Sequence, residues 1–587
     1  MAMKQDLDVA GAKSIESMED EVEGFVRNQI SYLRKESAAG NKMKGPKHIF
    51  KAKVLSSTLD EDLGRLVDFE VISSNSKPKK GARLVLWTNQ TQSHRGIIYK
   101  ASRYGFTLAS TDTQTLSKGL TAHYYITPTN SLTAQKAMCE ILNSSIYKPG
   151  EPAQRLRDVL LGRAEPTLRA IPEPMNFFNK NLNGGQRTAI AGCMAQSELA
   201  VLHGPPGTGK STTLVEIIRQ ALFTGGKALI CAPSHAAVDS LLSKVRAAGC
   251  DGLARIGHPA DVDKAHVRLT LQWLAREWNK SETLILSQAQ AVFGTLTGCS
   301  TKVSSLPTQH FSISVLDEGG QALEANVWAI IPFTSKLVVA GDHLQLPPTV
   351  TSNSPKVKAA LGLSLMERIV KEPKYNAIVH MLNVQYRMAD PIMQWPNNIF
   401  YGGKLCAGPG VGPQSLAKLP GVKKDLLITT KQILLLDTAG KMKQKGRDSP
   451  IFKGSLHNPG ESVAVGDVIN NLIRSGVRST QIGVITFYAL QVDTIKQHLS
   501  SNNLSSIKVS SVDGFQGQEK EVIILSAVRS NNKGIIGFLK EERRLNVAIT
   551  RAKKLLVVVA DRKTLQSDNT FNSLFSHIKR VGEVIRL

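Results

Sequence analysis

The stretch that decides the fold is GPPGTGKS, residues 204–211. It matches the pattern G-x-x-x-x-G-K-[ST] and lies between an apolar run, LAVLH, and a helical run, TTLVEIIRQAL. Glycines at these positions let backbone N–H groups close around phosphates, while the lysine reaches the β and γ oxygens and the hydroxyl ligates Mg²⁺. The motif therefore predicts a nucleotide-binding phosphate loop. Its residues are Gly204, Pro205, Pro206, Gly207, Thr208, Gly209, Lys210, Ser211 and Thr212.

A second element, FSISVLDE at residues 311–318, is an apolar run that ends in two adjacent carboxylates. An acidic pair after a strand often only begins a surface loop. At a sheet edge beside a phosphate loop, however, Asp317 can hold Mg²⁺ while Glu318 polarises the attacking water. We therefore predict a hydrolytic ATP site in which Ser211 and Asp317 are the metal ligands.

Three further residues complete the set predicted for phosphoryl transfer. The strand KLVVAGD continues into HLQLPPT, which places the Gln345 amide at the same sheet edge, where it can read the γ-phosphate. VQYRM at 384–388 and RRLNVAITRAKK at 543–554 supply Arg387 and Arg551. A planar guanidinium that does not deprotonate suits the charge on phosphate oxygens. Basic residues in a last helix are usually surface charge, but their order after the phosphate loop favours a catalytic role.

The pattern of apolar runs divides the chain into four regions. Short β-rich runs between residues 46 and 128 predict a small β-barrel, and strands that alternate with helices after residue 129 predict two parallel α/β sheets. A basic turn, SNSKPKK, would face phosphate or be only a solvated loop. The predicted boundaries are 1–45 for a helical segment, 46–128 for the barrel, 129–379 for a first α/β domain with a short helical insertion near 255–287, and 380–587 for a second.

Charge and composition limit the class of protein. The formal net charge of +25 predicts a polyanionic partner, although solubility charge alone would have the same sign. No apolar stretch is long enough to cross a bilayer, and the N-terminus does not look like a secretory signal. The six cysteines form no C-x-x-C pair, which argues against a disulfide framework or a zinc module. These features predict an intracellular protein of the nucleus, the cytoplasm or both.

The ordered motifs resemble those of one helicase family. The series GPPGTGKS, CAPSHAAVDSL, VLDEGGQALE, AGDHLQLPPT, VQYRM, SVDGFQGQEKEVIILS and LNVAITRAKK is similar to that of superfamily 1B helicases of the nonsense-mediated-decay helicase and senataxin branch. Within that branch it is most similar to the immunoglobulin mu-binding protein helicase and the polymerase-alpha-associated DNA helicase. The resemblance implies two RecA-like P-loop domains in tandem. It also implies a monomeric motor that uses ATP and Mg²⁺ to move 5′-to-3′ on single-stranded DNA, RNA or both.

The resemblance also assigns residues. It implies that Gln186 reads adenine and that Tyr386 stacks on it. The residues that sense the γ-phosphate are then Gln345, Arg387, Glu519 and Arg551, and those near the bound strand are Pro233, Ser234, Thr295, Val512 and Asp513. Two other classes stay open: a nucleic-acid clamp switched by ATP without strand separation, and a hexameric P-loop ATPase. Both arginine motifs in one chain argue against the hexamer.

Overall fold

The computed structural model describes ten segments of the chain, residues 28–36, 50–60, 64–74, 83–88, 91–101, 105–110, 121–126, 152–168, 175–446 and 455–587. Most of the predicted N-terminal helix and the basic turn after Ser74 lie outside the described residues. Residues 28–36 are helical, and Ile30 and Leu33 are buried in the core below the first large sheet.

Six antiparallel strands form a closed barrel near the N-terminus. They are β1 (Phe50–Asp60), β2 (Gly64–Ser74), β3 (Arg83–Thr88), β4 (Thr91–Ala101), β5 (Gly105–Ser110) and β6 (Thr121–Ile126), paired in the order β1-β2-β5-β4-β3-β6. Alternate residues such as Val67 and Phe69 are buried, as expected for strands with one face toward a core. Tyr99 and Ala109 pack against Ala260 and Val267, so the barrel rests on the first α/β unit.

The first α/β unit is built on seven parallel strands. They are β7 (Leu199–His203), β8 (Ala228–Ala232), β9 (Leu253–Ile256), β10 (Ala291–Thr295), β11 (Ile313–Leu316), β12 (Leu337–Gly341) and β13 (Val379–Met381). Their order is β13-β7-β12-β11-β8-β10-β9. Helices cover the sheet, which is why strands such as LAVLH are buried at every position and are apolar up to the terminal His203 rather than alternating. The predicted parallel sheet is confirmed, and β13 extends it across the expected boundary at residues 379 and 380.

Ten α-helices belong to the described part of this unit. They are α1 (Pro152–Leu160), α2 (Gly184–Ala195), α3 (Lys210–Phe223), α4 (His235–Ala247), α5 (Leu271–Trp278), α6 (Glu282–Gln288), α7 (Leu296–Lys302), α8 (Glu324–Trp328), α9 (Pro355–Leu361) and α10 (Leu365–Lys371). The segment near 255–287 holds α5 and most of α6.

The second α/β unit repeats the plan with six parallel strands. The strands after β13 are β14 (Val384–Gln385), β15 (Cys406–Ala407), β16 (Ile433–Asp437), β17 (Lys445–Gly446), β18 (Leu456–His457), β19 (Ile482–Thr486), β20 (Lys508–Ser511), β21 (Lys520–Ser526), β22 (Ala552–Ala560) and β23 (Glu583–Arg586). The main sheet has the order β20-β19-β21-β22-β16-β23, which confirms the second predicted parallel sheet. Strands β14 with β15, and β17 with β18, form two small separate pairs.

Seven α-helices accompany this sheet within residues 380–446 and 455–587. They are α11 (Asp390–Phe400), α12 (Leu427–Thr430), α13 (Pro459–Arg474), α14 (Ala489–Ser501), α15 (Glu542–Ile549), α16 (Arg562–Leu565) and α17 (Asn569–Val581). Within the ten described segments, no helix is long and apolar enough to cross a membrane.

A buried carboxylate, Glu461, ties α13 to the end of β21. It accepts hydrogen bonds from the Ser526 hydroxyl at 2.6 Å and from the Val528 amide at 2.9 Å. Burial raises the pKa of Glu461 to about 7, and the nearby Asp561 acts in the same direction, against the hydrogen bonds that lower it. Its pKa in the unfolded chain is near the ordinary value of about 4.3. The raised value therefore makes stability depend on pH.

We expect Glu461→Gln to remove a pH dependence of stability. A raised folded-state pKa gives a contribution that is fully present below about pH 4.3 and is lost as pH rises through about 7. The melting temperature of the wild type, relative to that of the variant, should therefore decrease as the pH is raised from 5 to 8. Each pKa unit corresponds to about 1.4 kcal/mol. Thermal unfolding at several pH values tests this, with Glu541→Gln as a solvent-exposed control, and parallel midpoints for wild type and Glu461→Gln would contradict it.

Candidate active site

The phosphate loop joins β7 to α3. Gly207 and Gly209 have φ values of +77° and +80°, a left-handed conformation that glycine adopts without steric cost. Gly209 is also the N-cap of α3 and makes no side-chain capping bond, which leaves the first-turn N–H groups directed into the loop. A helix N-terminus of this kind binds anions such as phosphate. Four loop residues are buried, Gly204, Pro205, Pro206 and Thr208, while Ser211 and Thr212 lie in the first turn of α3.

The two predicted acids lie directly against the predicted lysine. Asp317 and Glu318 follow β11, and Lys210 Nζ donates to an Asp317 carboxylate oxygen and to Glu318 Oε1, the latter at 2.9 Å. Burial alone would lower the pKa of Lys210, but the two carboxylates raise it above its usual value. Glu318 Oε2 also accepts from Gln321 Nε2 at 2.8 Å. The lysine and both acids therefore form one cluster at the carboxyl edge of the sheet.

A turn of the second α/β unit covers the phosphate loop. The Tyr386 amide donates to the Gly207 carbonyl oxygen at 2.8 Å. A Cβ atom added to Gly207 would lie 2.6 Å from the Arg387 Cβ atom. Because no pair of real side chains packs that closely, a glycine at position 207 is what allows the two units to meet here.

The predicted adenine-binding residues meet through a residue that sequence reasoning missed. Gln186 Nε2 donates to the Thr208 carbonyl oxygen at 3.1 Å, which places Gln186 beside the loop. Asn183 Nδ2 donates to the Tyr386 hydroxyl at 2.7 Å, and the Asn183 side chain also caps α2 in a capping box with Gln186. An Asn three residues before a Gln is a recognisable capping pattern, so the sequence NGGQ could have predicted that Asn183 begins this helix beside Gln186.

The two predicted arginines approach the loop through different contacts. Arg551 is buried, and its Nη2 donates to Gln345 Oε1 at 3.0 Å. Burial and the neighbouring Arg387 lower the pKa of Arg551 to about 9, so its guanidinium stays charged near neutral pH. Arg387 donates through Nε to Glu519 at 2.5 Å and through Nη1 to the Thr550 carbonyl oxygen at 3.1 Å. The structure thus brings together residues of both units that lie far apart in sequence.

Asp342 links Gln345 to the second unit, and the sequence did not assign it a role. Its Oδ2 atom accepts from Gln345 Nε2 at 2.7 Å and from the Tyr401 hydroxyl at 2.8 Å, while His203 Nε2 lies 3.0 Å from Oδ1. Asn546 Nδ2 in turn donates to the Tyr401 hydroxyl at 2.8 Å. Burial would raise the pKa of Asp342, but the hydrogen bonds from His203, Gln345 and Tyr401 lower it to about 2. An ionised carboxylate therefore fixes the orientation of Gln345.

Among the described residues, His203, Asp342 and His343 are close enough to form a metal site. Their ligand atoms lie within 4.8 Å of one another. Burial and the neighbouring His203 lower the pKa of His343 to about 4, which keeps its ring neutral. Asp342, however, already accepts from His203, Leu344, Gln345 and Tyr401, and a carboxylate has about four lone-pair sites. We therefore assign Asp342 to hydrogen bonding.

The five residues predicted near a bound strand lie at the carboxyl edges of the two sheets. Pro233 and Ser234 follow β8, and Thr295 ends β10, which pairs with β8 in register. Val512 and Asp513 follow β20 in the second sheet. The Val512 side chain is buried, so only its backbone could contact a ligand, whereas Asp513 is exposed. Ser234 and Thr295 each cap a helix, accepting from the amides of Ala237 and Gly298 at 3.2 Å.

Comparison with known proteins agrees with this architecture. Two AAA domain family models match the chain, one at residues 181–283 and 265–353 and the other at residues 361–563. The chain is 39% identical over 507 residues to the DNA-binding protein SMUBP-2 of Rattus norvegicus, covering 78% of this chain and 50% of that protein. It therefore spans about half the length of SMUBP-2.

A second relative is matched over most of its length. The chain is 34% identical over 546 residues to the DNA polymerase alpha-associated DNA helicase A of Saccharomyces cerevisiae, covering 80% of this chain and 79% of that protein. Among solved structures, the arterivirus nonstructural protein 10 helicase aligns with a TM-score of 0.38 and 12% identity, over 89% of this chain and 79% of that one.

Proposed function

The chain belongs to the superfamily 1 helicase family that includes SMUBP-2 and the DNA polymerase alpha-associated DNA helicase, and from this membership we propose that it is an ATP-dependent helicase that moves along single-stranded nucleic acid. The observation that carries the proposal is the contact of Arg551 with Gln345 across the two units. An ATPase that builds one site from two units can couple hydrolysis to their relative motion. The family resemblance supports a 5′-to-3′ direction.

The proposed ATP site uses both units. Gln186 and Tyr386 are proposed to hold the adenine, and Lys210 with the N-terminus of α3 the phosphates. The two left-handed glycines and the uncapped helix start support this fit, because they offer N–H groups and space rather than side chains.

Ser211 and Asp317 are proposed to hold Mg²⁺. Hydroxyl and carboxylate oxygens suit this hard cation, and the two residues come from the first turn of α3 and the end of β11. The fit is supported by the Asp317 carboxylate, which already binds the cationic Lys210 ammonium group. When bound, Mg²⁺ would neutralise charge on the phosphate oxygens.

In the proposed mechanism, Lys210 changes partners. Phosphate oxygens of ATP attract Lys210 away from Glu318, which then accepts a proton from the water that attacks the γ-phosphorus, as the bond to the β,γ-bridging oxygen breaks and ADP leaves. Arg551 and Arg387 supply positive charge from the second unit, the latter after it leaves Glu519. Until it leaves, the γ-phosphate is bound by Lys210 of the first unit and by both arginines of the second. Its release removes this link, and the two units separate.

The bound strand is proposed to cross the carboxyl edges of both sheets, past Ser234, Thr295 and Asp513. The net charge of +25 supports a polyanionic partner. The relatives are named as a DNA-binding protein and a DNA helicase, which favours DNA as the substrate and an intracellular, nuclear location. Because one chain supplies the phosphate loop and both arginines, we propose that the motor acts as a monomer.

We expect the rate of ATP hydrolysis to rise when single-stranded DNA or RNA is added. The stimulation by DNA and by RNA strands of the same sequence, compared side by side, shows which of the two is the substrate. A duplex with a 5′ single-stranded tail should then open in an ATP-dependent way, while a blunt duplex should not. A fluorescent strand-displacement assay measures this, with a 3′-tailed duplex as the control for direction. Hydrolysis without displacement of any duplex would indicate a clamp instead of a helicase.

A further inference from the structure

The loop that follows β21, residues 527–541, is held in a strained conformation. Val528 has a φ of +71°, in the left-handed region that a β-branched residue rarely enters. Two buried side chains hold it there: Glu461 accepts from the Val528 amide at 2.9 Å, and Asn458 Nδ2 donates to the Val528 carbonyl oxygen at 3.2 Å. Strain that is held in place by buried partners is common at functional sites.

The rest of this loop is also fixed. The Ser530 hydroxyl donates to Asp561 at 2.6 Å, and Asn531 Oδ1 accepts from the amides of Lys533 and Ile535 at 3.1 and 3.0 Å. These contacts hold the backbone of residues 530–535, from which the chain continues to Phe538.

This loop presents large apolar side chains to water. Phe538 is 56% exposed and Ile535 is 53% exposed. The Phe538 ring and the buried Tyr488 ring form a T-shaped contact, with a centroid distance of 6.0 Å and an interplanar angle of 65°. The Tyr488 hydroxyl accepts from Arg529 Nε at 2.7 Å. Phe538 therefore packs against Tyr488 while more than half of its surface is exposed to solvent.

Phe538 lies at the carboxyl edge of the second sheet, the edge along which the bound strand is proposed to run. Strands β20, β19 and β21 are neighbours in the sheet, and the loops after them carry Asp513, Tyr488 and Phe538. The carboxyl ends of parallel strands form a common edge, where ligands bind in open α/β sheets. Arg544 lies 3.7 Å from Asp513 and 3.0 Å from Glu541, so it connects the end of this loop to the proposed strand track.

We propose that the Phe538 ring is a stacking platform for one base of the bound single strand. This rests on the proposed function. A base offers a flat face that stacks on any aromatic ring, whatever the sequence. Lys533 and Lys540 are exposed on the same loop, where they can meet the phosphates on either side of that base. An exposed pair of apolar residues is also smaller than the patches by which proteins usually bind other proteins.

Phe538→Ala tests the proposal, because the ring can be removed without disturbing a core. The measurement is binding, without nucleotide, of a homopolymeric DNA strand and of an abasic strand of the same length. The wild type should prefer the strand with bases, and Phe538→Ala should lose affinity for it by roughly 5- to 100-fold, while binding the abasic strand as the wild type does. Phe538→Trp should keep the preference.

The matched control is Phe223→Ala, since Phe223 is 75% exposed and also meets another ring, that of Phe178, edge-on at 5.4 Å. This control should bind both strands like the wild type, and thermal unfolding verifies that each variant is folded. If Phe538→Ala keeps the preference for the strand with bases or weakens the binding of both strands equally, the stacking proposal is wrong while nucleic-acid binding stands. If the wild type binds neither strand, the proposed function itself fails.

Discussion

Lys210→Ala is expected to abolish ATP turnover while leaving single-strand binding largely intact. Lys210 is the cation at the centre of the cluster with Asp317 and Glu318, and alanine leaves those two acids facing the phosphate loop without it. The repulsion between the acids and the ATP phosphates should add to the loss of the lysine itself. The proposed strand-contacting residues lie at other positions along the sheet edges, so strand affinity should change little.

The measurement for Lys210→Ala is steady-state ATP hydrolysis with saturating single-stranded DNA, beside strand binding by fluorescence anisotropy. Lys302→Ala is a suitable control because Lys302 also pairs with a carboxylate, that of Glu282, but on the surface of the first unit. Glu318→Gln separates binding from chemistry, since it keeps a hydrogen-bonding side chain but should stop hydrolysis after ATP has bound. Wild-type turnover in Lys210→Ala would refute the assignment of the phosphate loop.

The elements that could be predicted from the sequence are those encoded locally. The glycines, lysine and serine of GPPGTGKS are enough to define a phosphate-binding loop, and strands buried on both faces appear as continuous apolar runs. The phosphate loop and the two parallel sheets were predictable for this reason. The boundary at residues 379 and 380 was harder to place, because β13 is only three residues long and its pairing with β7 depends on tertiary contacts. The other domain boundaries stay predictions.

The network around Asp342 could not be predicted in the same way. His203, Tyr401 and Asn546 are single polar residues at unrelated places in the sequence, and nothing in their spacing indicates that they meet. They come together because β7 and β12 are adjacent in the first sheet and because α15 packs against α11 beside that edge. The structure therefore adds how the Gln345 amide is oriented, whereas the sequence predicted only that it lies at the sheet edge beside the phosphate loop.

Arg551→Ala and Arg387→Ala are each expected to lower kcat by ~10³- to 10⁵-fold, the range attributed to arginine fingers, with a much smaller change in ATP affinity. The reason is that both cations come from the second unit and stabilise the charge that develops during phosphoryl transfer more strongly than the charge of the bound ground state.

The two arginine variants should differ in their structural consequences. Removing Arg551 leaves Gln345 Oε1 without its donor inside the cleft, so this variant should also lose the coupling between hydrolysis and strand movement. Removing Arg387 instead frees Glu519, which keeps its ion pair with Lys553 at 2.8 Å, so the fold around it should be retained. Lysine at either position should rescue little, because an ammonium lacks the planar fork of a guanidinium.

Single-turnover hydrolysis and equilibrium ATP binding, measured on the same preparations, separate the effect on kcat from the effect on affinity. Arg478→Ala, on the exposed surface of the second unit, is the charge-matched control and should behave like the wild type. Thermal unfolding shows that each variant is folded, which matters most for the buried Arg551. If both variants hydrolyse ATP at near-normal kcat, the second unit does not complete the active site. The coupling of hydrolysis to movement would then have to arise from contacts other than Arg551 with Gln345.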